Sequence, residues 1–287
     1  MAPMRAADLI ERGVEILKAG AANSDSPGDE DQQAEQILEE VLGREFDEDD
    51  SVDGRARRFL ALIERRAAGE PLPYVLGWTE FMDLRLSVGP GAFVPRATTE
   101  FLAETAIARL RRRKAPVAVD AATGVGPIAL AVASKVGHAS VYGTDIAKPA
   151  VATARKNARA LGLSNAHFRL GSMLEPLPRA IRGRVDVITS HPPYVASHEV
   201  ADLPKELRDY EPHESLTDGS GDGLGLVRPL LAQGGGWLAP DGWMLIEIGS
   251  YLARAVRTLM VRAHYRDVRS LKGDMPYTRV IAGRCPR

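Results

Sequence analysis

The sequence predicts an α/β fold with a mostly parallel sheet, preceded by a small helical domain. From about residue 97, apolar segments of strand length alternate with helical segments. This alternation is typical of a parallel sheet with helices on both faces. Two further strand-like segments around Gly273 indicate an antiparallel strand at the C-terminus. Before residue 70, apolar residues instead recur at helical spacing, which predicts amphipathic helices.

Composition excludes several classes of protein. The 287 residues carry a net charge of −1 and are 45% hydrophobic, which fits a globular protein with a sizeable core. The single cysteine, Cys285, rules out an internal disulfide framework, and no metal site is expected. No apolar stretch approaches the ~20 residues of a membrane span, and the N-terminus lacks the apolar core of a signal peptide. We therefore expect a cytoplasmic protein with neither a membrane partner nor a direct nucleic-acid partner.

The chain is expected to have three parts. Residues 1–76 form a helical domain whose amphipathic stretches are separated by polar breaks at Asn23–Gly28 and Glu45–Asp50. Residues 77–95 contain short alternating segments between glycines and prolines, which predicts a β-hairpin linker. Residues 96–287 form the α/β domain.

The α/β domain is expected to contain seven strands and five helices. Its predicted strands are Val117–Ala121, Ser140–Asp145, His167–Leu170, Val185–Ser190, Trp243–Ile248, Arg266–Ser270 and Thr278–Ala282. Its predicted helices are Thr98–Leu110, Ile128–Val136, Pro149–Leu161, part of Leu224–Leu238, and Leu252–Ala263. Thr98 or Thr99 is the expected N-cap of the first helix. The basic run Arg109–Lys114 is expected to be a solvated helix end.

The first strand-to-helix turn, Asp120–Gly126, has the small residues that let a ligand approach the backbone. Asp145 ends the next strand, near the ~20-residue spacing of a carboxylate that grips a ribose. A dinucleotide site prefers GxGxxG, whereas Pro127 provides no N–H for a phosphate. The pattern therefore favours S-adenosylmethionine, which has no phosphate; the competing interpretation is a tight turn without a ligand.

A second motif, Ser190–Tyr194, directly follows the fourth predicted strand. In an open α/β sheet, ligands bind beyond the carboxyl ends of the strands. The two prolines fix the backbone, so that carbonyl groups can accept hydrogen bonds from a substrate NH₂. Tyr194 offers an aromatic face to a planar amide or base. The motif predicts a clamp for a nitrogen acceptor of a methyl group; the alternative is a rigid surface loop.

Taken in order, these motifs resemble the HemK/PrmC family, the protein N5-glutamine methyltransferases that act on peptide chain release factors. The resemblance spans nearly the whole chain. Besides the two motifs above, the segments that carry it are Gly69–Gly77, Phe93–Glu100, Leu203–Pro212, Gly221–Leu224 and Trp243–Gly249. It implies a class I S-adenosylmethionine-dependent methyltransferase fold, which is Rossmann-like.

The resemblance also implies site residues. Those expected to bind the cofactor are Ala122, Thr123, Gly124, Val125, Gly126, Asp145, Ser172, Met173 and His191. Those expected to hold the acceptor nitrogen, and so to be catalytic, are His191, Pro192, Pro193 and Tyr194. The N-terminal helices would dock a protein substrate, plausibly a release factor. Glu247, inside an apolar strand, is expected to be structural or to support the site from behind.

The chain departs from the family pattern at the site. His191 replaces an asparagine, Ala122 replaces a glycine, and Ala97 and Thr98 replace a proline and a glutamate. A neutral imidazole has one donor and one acceptor, so it matches a primary amide less well than asparagine does. Three hypotheses stay open: methylation of a protein glutamine, methylation of a small molecule, and a non-catalytic module that binds S-adenosylmethionine.

Overall fold

The computed structural model describes residues 4–20, 29–52 and 54–286. The polar break predicted at Asn23–Gly28 lies outside these ranges. The second predicted break, Glu45–Asp50, is a loop.

The secondary structure over the described residues follows the predicted alternation. The helices are α1 (Ala6–Gly20), α2 (Glu30–Leu42), α3 (Ala56–Ala67), α4 (Leu72–Leu76), α5 (Glu100–Leu110), α6 (Pro127–Lys135), α7 (Lys148–Ala160), α8 (Lys205–Tyr210), α9 (His213–Leu216), α10 (Val227–Trp237) and α11 (Ala253–Arg262). The strands are β1 (Trp78–Phe81), β2 (Leu84–Ser87), β3 (Val117–Ala121), β4 (Ser140–Asp145), β5 (Ala166–Leu170), β6 (Val185–Ser190), β7 (Leu238–Gly249), β8 (Arg266–Leu271) and β9 (Thr278–Arg284). The short helices α4, α8 and α9 were not predicted, because they have too few residues for a periodic pattern.

The chain divides into two compact units. The helical unit comprises Met1–Trp78 together with Ala201–Glu211, and the sheet unit comprises Thr79–Val200 together with Pro212–Arg287. The segment Ala201–Glu211 therefore belongs to the helical unit, although in sequence it lies between the two parts of the sheet unit. The sequence placed this segment in the α/β part, since its pattern says nothing about what it packs against.

The helical unit has its own core, which is built from the apolar faces of α1, α2 and α3. The side chain of Arg66 joins α8 to this unit. Its Nε donates to Gln33 Oε1 at 2.7 Å, its Nη1 donates to the Glu70 carbonyl at 2.9 Å, and Glu206 Oε2 of α8 lies 3.6 Å from Nη1. Arg66 is buried, so these partners replace the water it loses.

The sheet unit contains, within the described ranges, a seven-stranded sheet in the order β5-β4-β3-β6-β7-β9-β8. The strands from β5 to β7 are parallel, and β9 is antiparallel to both of its neighbours. Helices α5, α6 and α7 cover one face, and α10 and α11 cover the other. The predicted fold, a mostly parallel sheet with an antiparallel C-terminal strand, is confirmed.

One local prediction was confirmed in position and another was wrong. Thr99 occupies the N-cap position of α5, as predicted, although its hydroxyl makes no capping hydrogen bond. The basic run is not simply solvated, since the Arg109 guanidinium lies 4.6 Å from the centre of the Trp243 ring. Arg113 donates to Asp186 Oδ1 at 2.7 Å. Both arginines find partners on strands that are distant in sequence, which local charge patterning cannot predict.

None of the described helices is long and apolar enough to cross a membrane. Nor do His, Cys, Asp and Glu side chains of the described ranges gather in a group that could hold a metal ion.

Candidate active site

The turn between β3 and α6 is fixed by hydrogen bonds within the protein. The Asp120 carboxylate accepts from the Thr123 hydroxyl at 2.5 Å and from the Thr189 hydroxyl at 2.8 Å. The Thr123 backbone N–H donates to the Thr144 carbonyl at 2.9 Å, which ties the turn to β4. Asp120 is 1% exposed, and burial raises its pKa to about 7, although both hydroxyls oppose that shift. The turn is therefore held in shape by its own strands.

Three residues of this turn have left-handed backbone conformations. Gly124 has φ +57° and Gly126 has φ +90°, and glycine adopts both without steric cost. A Cβ on Gly126 would lie 3.0 Å from the Phe168 ring, whereas a Cβ on Gly124 would meet nothing within 4 Å. Ala122 has φ +58°, which costs an L-residue about 1 kcal/mol. The turn thus has an open side at Gly124 and some strain at Ala122.

Asp145 ends β4 and lies beside this turn. Its Oδ2 accepts from the Gly124 N–H at 2.8 Å, and its Oδ1 accepts from the Ala147 N–H at 2.9 Å. Burial raises the pKa of Asp145, and these two N–H groups oppose the rise. Each oxygen keeps a lone pair for a further donor. Asp145 therefore both holds the turn and can still accept a hydrogen bond from a ligand hydroxyl.

The other predicted cofactor residues lie close to these two. Met173 is buried, has φ +46°, and its carbonyl accepts from the Thr144 hydroxyl at 2.6 Å. Ser172 is partly exposed, and its carbonyl accepts from the Glu175 N–H at 3.0 Å. The Val125 side chain is fully buried, so only its backbone can face a ligand. The predicted residues described so far lie at the carboxyl ends of the neighbouring strands β3, β4 and β5.

The sequence reasoning missed two apolar residues at the same edge of the sheet. Ile146, which follows β4, is 60% exposed, and Leu170 at the end of β5 is 50% exposed. Large apolar side chains this exposed next to a polar turn are candidates for ligand contact. An apolar residue directly after an acidic strand end was the available signal. The open turn, the carboxylate and these apolar side chains fit a ligand with a ribose and no phosphate.

The second motif begins where β6 ends. Ser190 pairs with Ala121 of β3, and its hydroxyl donates to the Ala121 carbonyl at 2.8 Å. This register puts His191 beside Ala122, at the start of the cofactor turn. Neighbouring parallel strands that end at the same level therefore bring the two motifs together, as the sequence predicts.

His191 is partly exposed, and its ring packs against neighbouring side chains. Its Nδ1 lies 3.3 Å from the Thr99 hydroxyl. Its ring centre is 5.8 Å from that of Phe93, edge to face, and 5.7 Å from that of Tyr194. Burial lowers the pKa of His191, and the charge of Arg96 lowers it further against an opposing effect of Glu247. The imidazole is therefore neutral at pH 7.

The rest of the motif packs against Leu216 of α9 and the loop that follows this helix. Pro192 is buried, and burial of Tyr194 raises its pKa to about 12, so the phenol is un-ionised. Gly223, with φ +64°, packs against the Tyr194 carbonyl so closely that a Cβ would overlap it. The Val195 N–H donates to the Leu216 carbonyl at 3.1 Å. The glycine-rich segment that resembles the family is therefore the back wall of the motif.

Glu247 completes the surroundings of His191. It lies near the end of β7 and is 1% exposed. Within the described residues, neither of its carboxylate oxygens has a hydrogen-bond partner. The preceding residue, Ile246, pairs with Ser190, so Glu247 is level with His191. The sequence predicts a structural or supporting role for Glu247, but no hydrogen bond to its carboxylate is present among the described residues.

Comparison with known proteins identifies the class to which this fold belongs. Residues 113–255 match a family model described as a methyltransferase domain. A methyltransferase from Pyrococcus furiosus has a TM-score of 0.54 and 17% identity over 72% of this chain and 91% of its own. The Thermus thermophilus 16S rRNA N2 G1207 methyltransferase, solved with AdoMet and guanosine, has a TM-score of 0.55 and 17% identity over 73% of this chain and 50% of its own. Fold and site together define a class I S-adenosylmethionine-dependent methyltransferase.

Sequence relatives identify the family. A release factor glutamine methyltransferase of Xylella fastidiosa is 39% identical over 79% of this chain and 81% of its own length. One from Moorella thermoacetica is 40% identical over 74% of both chains, and one from Burkholderia pseudomallei is 37% identical over 83% and 84%. The chain belongs to the release factor glutamine methyltransferase family. An enzyme is thereby favoured over a non-catalytic module.

Proposed function

We propose that this enzyme methylates the side-chain amide nitrogen, N5, of a glutamine in a protein such as a peptide chain release factor. The observation that carries the proposal is the position of His191–Tyr194, one strand away from the cofactor turn and backed by the Gly223 loop. The names of the relatives supply the acceptor, since the geometry alone is consistent with other planar nitrogens.

S-adenosylmethionine, when bound, supplies a methyl group on a sulfonium, which is already activated for displacement. We propose that the backbone of Ala122–Gly126 lies against the amino-acid part of the cofactor and that Asp145 accepts from its ribose. Ser172 and Met173 would flank the adenine, together with the exposed Ile146. The open side of Gly124 and the spare lone pairs of Asp145 support this assignment.

On the acceptor side, these residues bind and orient the amide. The backbone carbonyls of the Pro192–Pro193 segment would accept from its NH₂, and the Tyr194 ring would stack on its plane. Neutral His191 would line the pocket without adding a positive charge. Alignment of this kind can supply much of the rate enhancement when the leaving group is good.

We further propose that the helical unit docks the protein substrate, and that the enzyme works in the cytoplasm, where a release factor meets the ribosome. The helical unit folds around its own core, which is consistent with a separate recognition role.

The direct test is transfer of a labelled methyl group to a purified release factor and to a GGQ-type peptide. We expect labelling of the glutamine, located by mass spectrometry, and none when that glutamine is replaced by alanine. Labelling of small molecules in cell extract, but of neither protein nor peptide, would contradict the proposal. Cofactor binding without any transfer would point to the non-catalytic module.

The substitution His191→Asn tests the departure from the family pattern. Asparagine offers the amide both an acceptor and donors, so we expect kcat/KM for the glutamine peptide to rise by about tenfold, the equivalent of one hydrogen bond. Unchanged kcat/KM would mean that His191 is only a tolerated replacement. Binding of S-adenosylhomocysteine, measured by calorimetry, controls for damage to the cofactor side.

A further inference from the structure

Glu247 is a buried acid without a hydrogen-bond partner in the described residues. It is 1% exposed, and both carboxylate oxygens lack a donor. A buried carboxylate without a partner strongly destabilises the folded protein. In contrast, Asp120, equally buried in the same unit, has two hydroxyl donors. Of these two acids, Glu247 is the one whose carboxylate could accept hydrogen bonds from a bound ligand.

The position of Glu247 indicates where that partner binds. Side chains alternate along a strand, so Glu247 points to the same face as Leu245, which packs in the core beneath α5. Thr99, at the start of α5, and His191 lie on that face as well. The charge of Glu247 raises the pKa of His191 and of Tyr194, in agreement with this placement. We call Phe93, Thr99, His191, Tyr194 and Glu247 the acceptor pocket.

The chemistry of the acceptor pocket determines which ligand can satisfy Glu247. The prolines of the motif have no N–H, and the Nδ1 atom of His191 faces the Thr99 hydroxyl. A carboxylate can only accept hydrogen bonds. The nearby cation, Arg96, lies 4.7 Å from the centre of the Phe93 ring. A ligand that brings N–H donors into this pocket supplies what the carboxylate lacks.

We propose that Glu247 determines acceptor specificity by accepting a hydrogen bond from the NH₂ of the substrate amide. It would thereby provide an acceptor oxygen of the kind that the family's asparagine provides and that His191 does not. The same negative charge would repel a glutamate side chain, so the pocket would distinguish glutamine from glutamate. This inference rests on the proposed function and adds the residue that reads the amide.

The experiment compares Glu247→Gln with the control Asp186→Asn. Asp186 is also a largely buried acid of the sheet unit, but it binds Arg113 and the Val117 N–H at the opposite ends of the strands. Glutamine keeps an acceptor oxygen but loses the charge, so we expect Glu247→Gln to raise KM for the glutamine peptide by about fivefold to tenfold, the difference between a charged and a neutral hydrogen bond. The Kd of S-adenosylhomocysteine should stay within about twofold. Asp186→Asn should lower the Tm and leave that KM unchanged.

Peptide binding without turnover gives a second, independent readout. The wild type, loaded with S-adenosylhomocysteine, should bind the glutamine peptide at least about tenfold more tightly than its glutamate analogue, and Glu247→Gln should narrow that gap. An unchanged KM in Glu247→Gln, or equal binding of the two peptides by the wild type, would overturn the inference. If the wild type transfers no methyl group to the peptide, the proposed function fails, and the binding measurement alone decides about Glu247.

Discussion

The cofactor side and the acceptor side of this site differ in how their buried acids are satisfied. On the cofactor side, Asp120 accepts from two hydroxyls and Asp145 from two backbone N–H groups. On the acceptor side, Glu247 has no donor among the described residues, and the polar contact described for the His191 ring is long, 3.3 Å to the Thr99 hydroxyl. Both sides lie at the ends of neighbouring parallel strands.

From this difference we expect the two ligands to be recognised in different ways. A turn whose acids are already paired holds its shape before the cofactor arrives, so little ordering has to accompany binding. A pocket with an unpaired buried acid reaches its lowest free energy only when a ligand supplies the missing donor. We therefore expect the proposed cofactor side to be pre-formed and the proposed acceptor side to depend on its substrate.

The largest effect is expected from breaking the support of the acceptor side with Gly223→Ala. The new Cβ would overlap the Tyr194 carbonyl, and alanine is strained at φ +64°. We expect kcat/KM for the peptide to fall by about a hundredfold or more, since even an ångström of misplacement costs that much. Binding of S-adenosylhomocysteine should change little.

Gly219→Ala is the matched control in the same loop. Its φ is +76°, and a Cβ there meets nothing within 4 Å. We expect only the strain of the left-handed conformation, about 1 kcal/mol in the free energy of unfolding, with nearly full activity. Equal loss of activity in both variants would show that strain, rather than contact with Tyr194, is the cause.

An intermediate effect is expected from pH acting on Asp120. Its pKa is about 4 in the unfolded chain and about 7 in the folded protein, so folding takes up a proton between those values. The free energy of unfolding should therefore decrease as pH rises from about 4 to about 7, by a few kcal/mol at most, and then level off. Asp145, whose pKa is also raised, contributes in the same direction.

Denaturant unfolding of the wild type and of Asp120→Asn across this range measures the effect. The variant cannot titrate at position 120, so its unfolding free energy should fall less steeply with pH. Parallel curves for the two proteins would mean that Asp120 does not titrate in this window.

The smallest effect is expected from Ala122→Gly, which restores the family's glycine. Relief of left-handed strain gains about 1 kcal/mol, and the greater freedom of glycine in the unfolded chain takes back about as much. We expect a net change in unfolding free energy below about 1 kcal/mol. Ala121→Gly, in the adjacent strand, lacks the strain and should cost about 1 kcal/mol. An equal cost at both positions would contradict the strain at Ala122.

Sequence patterns predicted most of the sheet unit because its elements are local. The strand Ser140–Asp145 agrees with the prediction at both ends, and α10 forms despite Pro229, which lies in its first turn. The same patterns brought Asp145 and His191 to one edge, since the ends of parallel strands must meet there. The role of the exposed Ile146 was not predicted, because a single apolar residue after a strand forms no periodic pattern.

The fold class, the order of the elements and the positions of the two motifs could be predicted from the sequence, because each depends on residues close together in the chain. The contacts of each buried polar group depend on the tertiary structure. In the folded protein, the Thr99 hydroxyl contacts His191 instead of capping its helix. The segment Ala201–Glu211 belongs to the helical unit. Among the described residues, the fold also leaves the Glu247 carboxylate without a hydrogen-bond partner. Such partners come from distant segments of the chain, and separation in sequence does not predict distance in space.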